Sequence, residues 1–198
     1  MSGGFNLNLT GEKVVDPSSG FAPLPNGKYA VTVYEVNHKE YGPNSNNAGR
    51  DSWNVQFRIS DGQEGANRRI FQQIGLFPTW APTDKYPDGA DNFLFYQFFS
   101  SVQGKSEKDF RAEVKDVIEG KGKKVLSLPD DSQVLGTEVI LVLGTEADTY
   151  AYNKAKEGGE LAEGETQDDF KRNTIKRILP AESGAASGGG GKPEVIRL

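Results

Sequence analysis

Apolar and polar residues alternate in three successive runs between residues 24 and 76, a pattern that predicts three consecutive strands joined by turns. In Lys28-Tyr-Ala-Val-Thr-Val-Tyr-Glu-Val36 the apolar set is Tyr29, Val31 and Val33. In the second run Trp53, Val55, Phe57 and Ile59 alternate with Asn54, Gln56 and Arg58. Each strand therefore buries one face and shows the other. Strand one is expected near residues 28–38, after the punctuation of Pro23, Pro25 and Asn26-Gly27, and strand two near 51–60. Asp61-Gly62 signals the next turn, and Ile70, Ile74 and Leu76 give a third strand, from about 67 to 76, its apolar side. Between the first two lies Tyr41-Gly-Pro-Asn-Ser-Asn-Asn-Ala-Gly-Arg50, polar, glycine-rich and longer than most hairpin turns. Loops of that kind often carry function.

The stretch from Phe77 to Pro87 holds Pro78, Pro82 and Pro87, which forbid a continuing sheet or helix interior, so an ordered connector with exposed aromatics is expected. Asp88 or Asp91 then caps a helix running to about Val102, with Phe95, Phe99 and Val102 on one side and Gly104 as its end. Ser106-Glu-Lys-Asp109 opens a second helix whose stripe is Phe110, Val114, Val117 and Ile118, up to Gly120. Thr137 to Leu143 is almost continuously apolar and reads as a central fourth strand. Tyr150 and Tyr152 extend a hairpin arm beyond it, a glycine- and glutamate-rich loop covers 156–168, and a last strand runs from Phe170 to Leu179, stopped by Pro180. Phe5, Leu7 and Leu9 suggest an edge strand in an otherwise polar lead-in (residues 1–23), while 183–191 is low-complexity linker before a short tail, 193–198.

Three strands, a helical region and two strands is the element order of the OB-fold, a five-stranded Greek-key barrel with helices between strands three and four. A mainly β, OB-fold-like domain over residues 24–180 is therefore expected, although a plain antiparallel sandwich would show similar strands. The 198 residues suffice for one domain with a real core. There is no cysteine, so disulfides and thiolate metal sites are excluded. No apolar stretch reaches the roughly 18 residues of a spanning helix, and nothing resembles an export signal, so a soluble intracellular protein is expected.

A formal net charge of −5 argues against a uniformly basic coat for duplex DNA. The charges are segregated, however. Acidic residues crowd 157–169, while cations gather at Arg68 and Arg69, at Lys121 to Lys124 and from Lys171 to Arg177. A local basic groove is compatible with that distribution.

Four segments, Leu24-Pro-Asn-Gly-Lys-Tyr29, Trp53-Asn-Val-Gln-Phe-Arg-Ile-Ser-Asp-Gly62, Asn67-Arg-Arg-Ile-Phe71 and Asn173-Thr-Ile-Lys176, resemble a family of phage-encoded proteins of similar size described as single-stranded DNA-binding proteins. The resemblance spans roughly residues 20–180. It implies an OB-like core serving phage replication or recombination in the cytoplasm of the infected bacterium. The implied partners are single-stranded DNA and phage or host replication and recombination proteins, with no cofactor and no membrane. The end of the chain departs from the usual single-strand binder: Val195-Ile-Arg-Leu198 is not an acidic tip with a terminal phenylalanine.

Gripping a single strand needs cations along the backbone and aromatic faces for the bases. Arg58 points away from Trp53 and Phe57, and at least one of Arg68 and Arg69 should join it; solvated sheet-edge arginines would look the same. Tyr34, opposite Tyr29, Val31 and Val33, and Tyr41, in the first loop with Arg50 at its end, are the stacking candidates. Trp80 in the connector is a third, or else caps the barrel end. Trp53 and the aromatics from Phe93 to Phe99 are read as core. Lys171, Arg172, Lys176 and Arg177 give both faces of the last strand a cation, which also suits an edge strand that resists aggregation. The groove is expected between the first and fourth loops. The alternative is a structural or protein-interaction module, a virion component or an inhibitor of host machinery, on the same barrel.

Enzymatic readings lack parts: His38 is the single histidine, no phosphate-cradling loop appears, and Asp130-Asp131 read as helix-capping or solvent-facing residues. No catalytic or metal site is expected.

Overall fold

The computed structural model describes residues 22–121 and 125–181. The alternation at Phe5, Leu7 and Leu9, the cations Lys123 and Lys124 and the tail beyond 181 lie outside the described residues. In chain order the elements are β1 (Gly27–Glu40), β2 (Asp51–Ile59), β3 (Arg69–Gly75), α1 (Phe93–Val102), α2 (Glu107–Ile118), α3 (Asp131–Val134), β4 (Glu138–Ala147), α4 (Thr149–Gly158), a 3-10 turn (Gln167–Asp169) and β5 (Lys171–Pro180).

The strands form an antiparallel sheet in the order β3-β2-β1-β4-β5. β1 is long enough to serve two neighbours. Its first half pairs with β4, from Gly27↔Leu143 to Thr32↔Glu138, and its second half with β2, from Val31↔Ile59 to Glu40↔Asp51. β2 then pairs with β3 from Arg58↔Arg69 to Ser52↔Gly75. β4 lies between β1 and β5, the interior place its apolar run predicts.

The inner face is the core. Val31, Val33, Val55, Phe57, Ile59, Ile74 and Leu141 are wholly or almost wholly shielded from solvent. α1 covers that face: Phe98 meets Trp53 and Phe57 with ring centroids 6.3 and 6.1 Å away, and Phe99 meets Trp53 at 5.5 Å. Each such ring contributes about 1.5–3 kcal/mol by leaving water. The single apolar stripe expected of α1 is too modest, because every residue from Leu94 to Ser101 is buried.

The cap of α1 is Asn92 and not Asp88 or Asp91. Asn92 is fully buried; its Oδ1 accepts from the Phe95 N–H, while its Nδ2 donates to the Phe77 carbonyl at 2.9 Å and the Gly75 carbonyl at 3.3 Å. A carboxylate could accept but not donate, which excludes aspartate from this place. Asp91 instead receives both terminal nitrogens of Arg111, at 3.0 and 2.9 Å. Ser106 caps α2 as its sequence suggests, but only Phe110 and Val114 of the stripe are buried, and Ile118 is 67% exposed. Asp130 is the N-cap of α3 in a reciprocal arrangement with Gln133.

Residues 147–172, placed by the sequence within one 24–180 domain, form with 22–23 a compact unit of their own; the larger unit comprises Leu24–Glu146 and 173–181 among the described residues. In the smaller unit Tyr150 and Tyr152 belong to the helix α4 and not to a hairpin arm. Asp148 caps it by accepting from the Ala151 N–H at 3.0 Å, and Gly159, at φ +69°, ends it. Tyr152 packs on Phe170 at 5.7 Å. Among the described residues no helix is long and apolar enough to cross a membrane.

Candidate nucleic-acid interface

The outer face of β2 and β3 carries Arg58 and Arg69 as direct cross-strand partners. Both are exposed because their inward neighbours, Phe57 and Ile70, take the core side. β1 brings the third member, Tyr34, beside an irregularity in its pairing. Val33 lies opposite Phe57, but the next pair is Glu35↔Gln56, so Tyr34 is an extra residue in the strand. Such a bulge re-aims a side chain and is common beside functional sites. Tyr34 faces outward by plain alternation after the inward Val33; the bulge keeps Glu35 outward as well and returns Val36 to the inner side. The guanidinium carbons of Arg69 and Arg58 stand 4.4 and 5.2 Å from the Tyr34 ring centroid. Arg69 Nη1 also donates to Gln56 Oε1 at 3.4 Å, which fixes its fork over the sheet.

Phe71 completes the patch and escapes the sequence reading. It lies opposite Gln56, two residues after Arg69 on the same face, and is 58% exposed. The signal for it was present. If Ile70 and Ile74 face the core, Phe71 between them faces out. The patch is not purely cationic, because Glu35 lies across from Gln56 and accepts from Asn37 Nδ2 at 2.8 Å.

Arg68 is not part of this cluster. It packs beside Gly65 in the turn before β3, and its charge acts on the Tyr29 hydroxyl. Burial, followed by Glu64, raises the pKa of that phenol, and Arg68 opposes the rise.

Tyr41, Arg50 and Trp80 are brought together at the other end of β2, around a ring the sequence placed among exposed aromatics. Phe77 is buried, with Trp80 at 5.1 Å and Tyr41 at 5.8 Å, and the Arg50 guanidinium carbon lies 3.5 Å from its ring centroid. Tyr41 and Trp80 meet edge to face at 6.0 Å. Burial raises the Tyr41 pKa, with Arg50 opposing. Gly75, the last outer position of β3, allows the Phe77 ring to lie where a Cβ would stand. The outer face of β2, from Arg58 to Ser52, therefore runs between two aromatic and cationic ends. At about 3.3 Å per residue that track is roughly 20 Å long. Its middle is polar, with Gln56 and Asn54, and Gln73, opposite Asn54, donates from Nε2 to Ser52 Oγ at 2.8 Å.

Within the larger unit Lys176 and Arg177 have different surroundings. Lys176 lies along Gly144, and Arg177 lines a separate cavity of about 250 Å³ with Lys28, Leu143 and Leu179. Lys176 and Arg177 are both exposed between the buried Ile175 and Ile178. Lys171 and Arg172 belong to the smaller unit, where Lys171 adds to the hydrogen bonds from Thr166 that lower the Asp169 pKa.

His38 is held by Trp53, whose Nε1 donates to its Nδ1 at 3.3 Å, and its Nε2 is 3.7 Å from Asp131. Among the described residues no three histidine, aspartate or glutamate side chains converge as metal ligands.

Comparison with protein-family models finds no match, and comparison with curated proteins finds none either.

Proposed function

We propose that the chain is a single-stranded DNA-binding protein of phage replication or recombination, built on an OB-like five-stranded Greek-key barrel. The order β3-β2-β1-β4-β5 supports that scaffold, with β1 shared between β4 and β2 and three helices between β3 and β4. In barrels of that class the face of strands two and three binds oligonucleotides. That is the face carrying the Tyr34, Arg58, Arg69 and Phe71 cluster, and this cluster is the observation on which the reading rests.

The division of labour follows from the chemistry. Arg58 and Arg69 neutralise successive phosphates, releasing counterions, and bases stack on Tyr34 and Phe71 for about 1–3 kcal/mol each. No bond is made or broken. Single-strand selectivity arises because a duplex keeps its base faces stacked inside and cannot offer them to the two rings. The site of action is the cytoplasm of an infected bacterium, alongside replication and recombination proteins.

The exposed carboxylates around 157–169 favour a second reading, a protein-interaction module. Fluorescence-anisotropy titration of a labelled poly-thymidine oligonucleotide, competed with unlabelled single strand and with duplex of equal length, separates the two. Binding displaced by single strand and not by duplex supports the DNA reading. Absence of binding at low salt, with salt-tolerant association to one protein partner, supports the second.

A further inference from the structure

The β1–β2 loop and the connector from β3 to α1 are tied to each other. Arg50 Nη1 donates to the Thr79 carbonyl at 2.9 Å, and the Ala81 N–H donates to Asn47 Oδ1 at 3.0 Å. The connector is braced within itself as well. The Trp80 N–H reaches the Ala90 carbonyl at 2.8 Å, the Asn92 N–H reaches Pro78 at 2.9 Å, and Thr83 and Tyr86 exchange two backbone hydrogen bonds of 3.0 Å. Gly89, at φ +83°, lies against the Trp80 carbonyl where a Cβ would not fit. Between these segments opens a cavity of about 350 Å³ lined by Asn46, Asn47, Trp80, Lys85 and Tyr86. Its two walls are joined by side-chain hydrogen bonds from Arg50 and Asn47, and the connector wall is braced by backbone hydrogen bonds.

We infer that this cavity captures one unstacked nucleobase of the strand that crosses the outer face of β2 and β3, an inference that rests on the single-stranded DNA reading. The volume lies near the lower bound of ligand pockets, roughly 300–1,000 Å³, and suits a single heterocycle. Trp80 and Tyr86 supply aromatic faces. Asn47 Oδ1 is already engaged by Ala81 and by Arg50 at 3.2 Å, so the group Asn47 offers a base edge is its amide NH₂; Asn46 adds a second amide. The Lys85 ammonium, 5.1 Å from the Tyr86 ring centroid, stands where the phosphate next to the captured base would pass. The cavity also continues the sheet track, since Trp80 packs on Phe77 and Phe77 lies over the end of β3.

Charge distinguishes this pocket from the sheet patch. Asp84 and Asp88 are exposed on the same connector as Lys85, so the cavity holds a base by contact and hydrogen bonding, with little net electrostatic attraction. Loss of the pocket should therefore weaken binding without flattening its salt dependence.

Tyr86→Ala is the variant of choice because Tyr86 is 46% exposed, so its removal leaves the core intact. Wild type and variant are titrated with labelled oligothymidine at several salt concentrations, and with a set of oligonucleotides in which one abasic residue is moved along the sequence. The expected result is a loss of about 5- to 100-fold for Tyr86→Ala with an unchanged salt slope. One abasic position should produce the same loss in wild type and no further loss in the variant. Wild-type affinity in Tyr86→Ala overturns the pocket and leaves the sheet-face reading standing. Failure of the wild type to bind any oligonucleotide at low salt overturns both.

Discussion

The guanidinium carbon of Arg69 stands 4.4 Å from the centre of the Tyr34 ring, and Arg58 approaches the same ring at 5.2 Å. One aromatic side chain, outward by alternation and next to a strand bulge, thus meets two cations from two neighbouring strands. Each contact is worth about 0.5–1 kcal/mol at an exposed site, enough to orient a long side chain without burying its charge. If the face binds DNA as proposed, part of the cost of ordering these side chains is met before the strand arrives.

Tyr34 should therefore matter twice, as a stacking surface and as the post that positions the arginines. Tyr34→Ala is expected to weaken oligothymidine binding by about 10-fold or more, the equivalent of 1.4 kcal/mol or above. Tyr34→Phe keeps the ring and should retain most of the affinity. Equal losses in both variants, measured by anisotropy, would contradict a role for the ring face.

Phe71 has no core duty at 58% exposure. Phe71→Ala should leave the thermal unfolding midpoint almost unchanged, with a stability change within about 0.5 kcal/mol, while lowering DNA affinity by about 5-fold or more. Calorimetry and titration of the same sample check both halves.

Glu35 shares the outer face, and on the proposed reading its charge opposes phosphates held there. Glu35→Gln removes a charge worth roughly 1 kcal/mol at close range in water, so binding should tighten by up to about fivefold at low salt and converge on wild type at high salt. A looser complex would place the strand away from this face.

Asn92 makes a prediction about the scaffold. Asn92→Ala removes the α1 cap and strips the Gly75 and Phe77 carbonyls of a buried donor. A cap is worth about 1 kcal/mol and a buried unsatisfied group about 1–3 kcal/mol, so a loss of roughly 2–4 kcal/mol is expected in denaturant unfolding.

How far the sequence discloses this arrangement depends on the range of the interaction concerned. Alternation along a single strand assigns Trp53, Val55, Phe57 and Ile59 inward and Arg58 outward, and the sheet has that register. The bulge at Tyr34 is invisible in one strand alone, because it is a property of the pairing of β1 with β2. The choice between Arg68 and Arg69 is likewise decided by where β3 begins, after the Gly65 turn. Phe71 is legible in the sequence as the outward residue between Ile70 and Ile74. Tyr150 and Tyr152 imitate a strand, yet Asp148 before them and Gly159 after them are helix boundaries, and these local signals prevail. The welding of Arg50 and Asn47 to Thr79 and Ala81 joins positions about thirty residues apart, and no local pattern reports it.

On the proposed reading Arg58 and Arg69 together hold the DNA backbone on the outer face of β2 and β3. Its most direct test is anisotropy titration of oligothymidine against wild type and an Arg58→Glu/Arg69→Glu variant across a salt series, with circular dichroism confirming the fold. The wild type should bind tightly and lose affinity steeply with salt. In the variant affinity should fall by about 100-fold or more and the log–log salt slope should shrink by roughly 1.4, two phosphate contacts at about 0.7 each. Wild-type affinity and slope in the variant would contradict it.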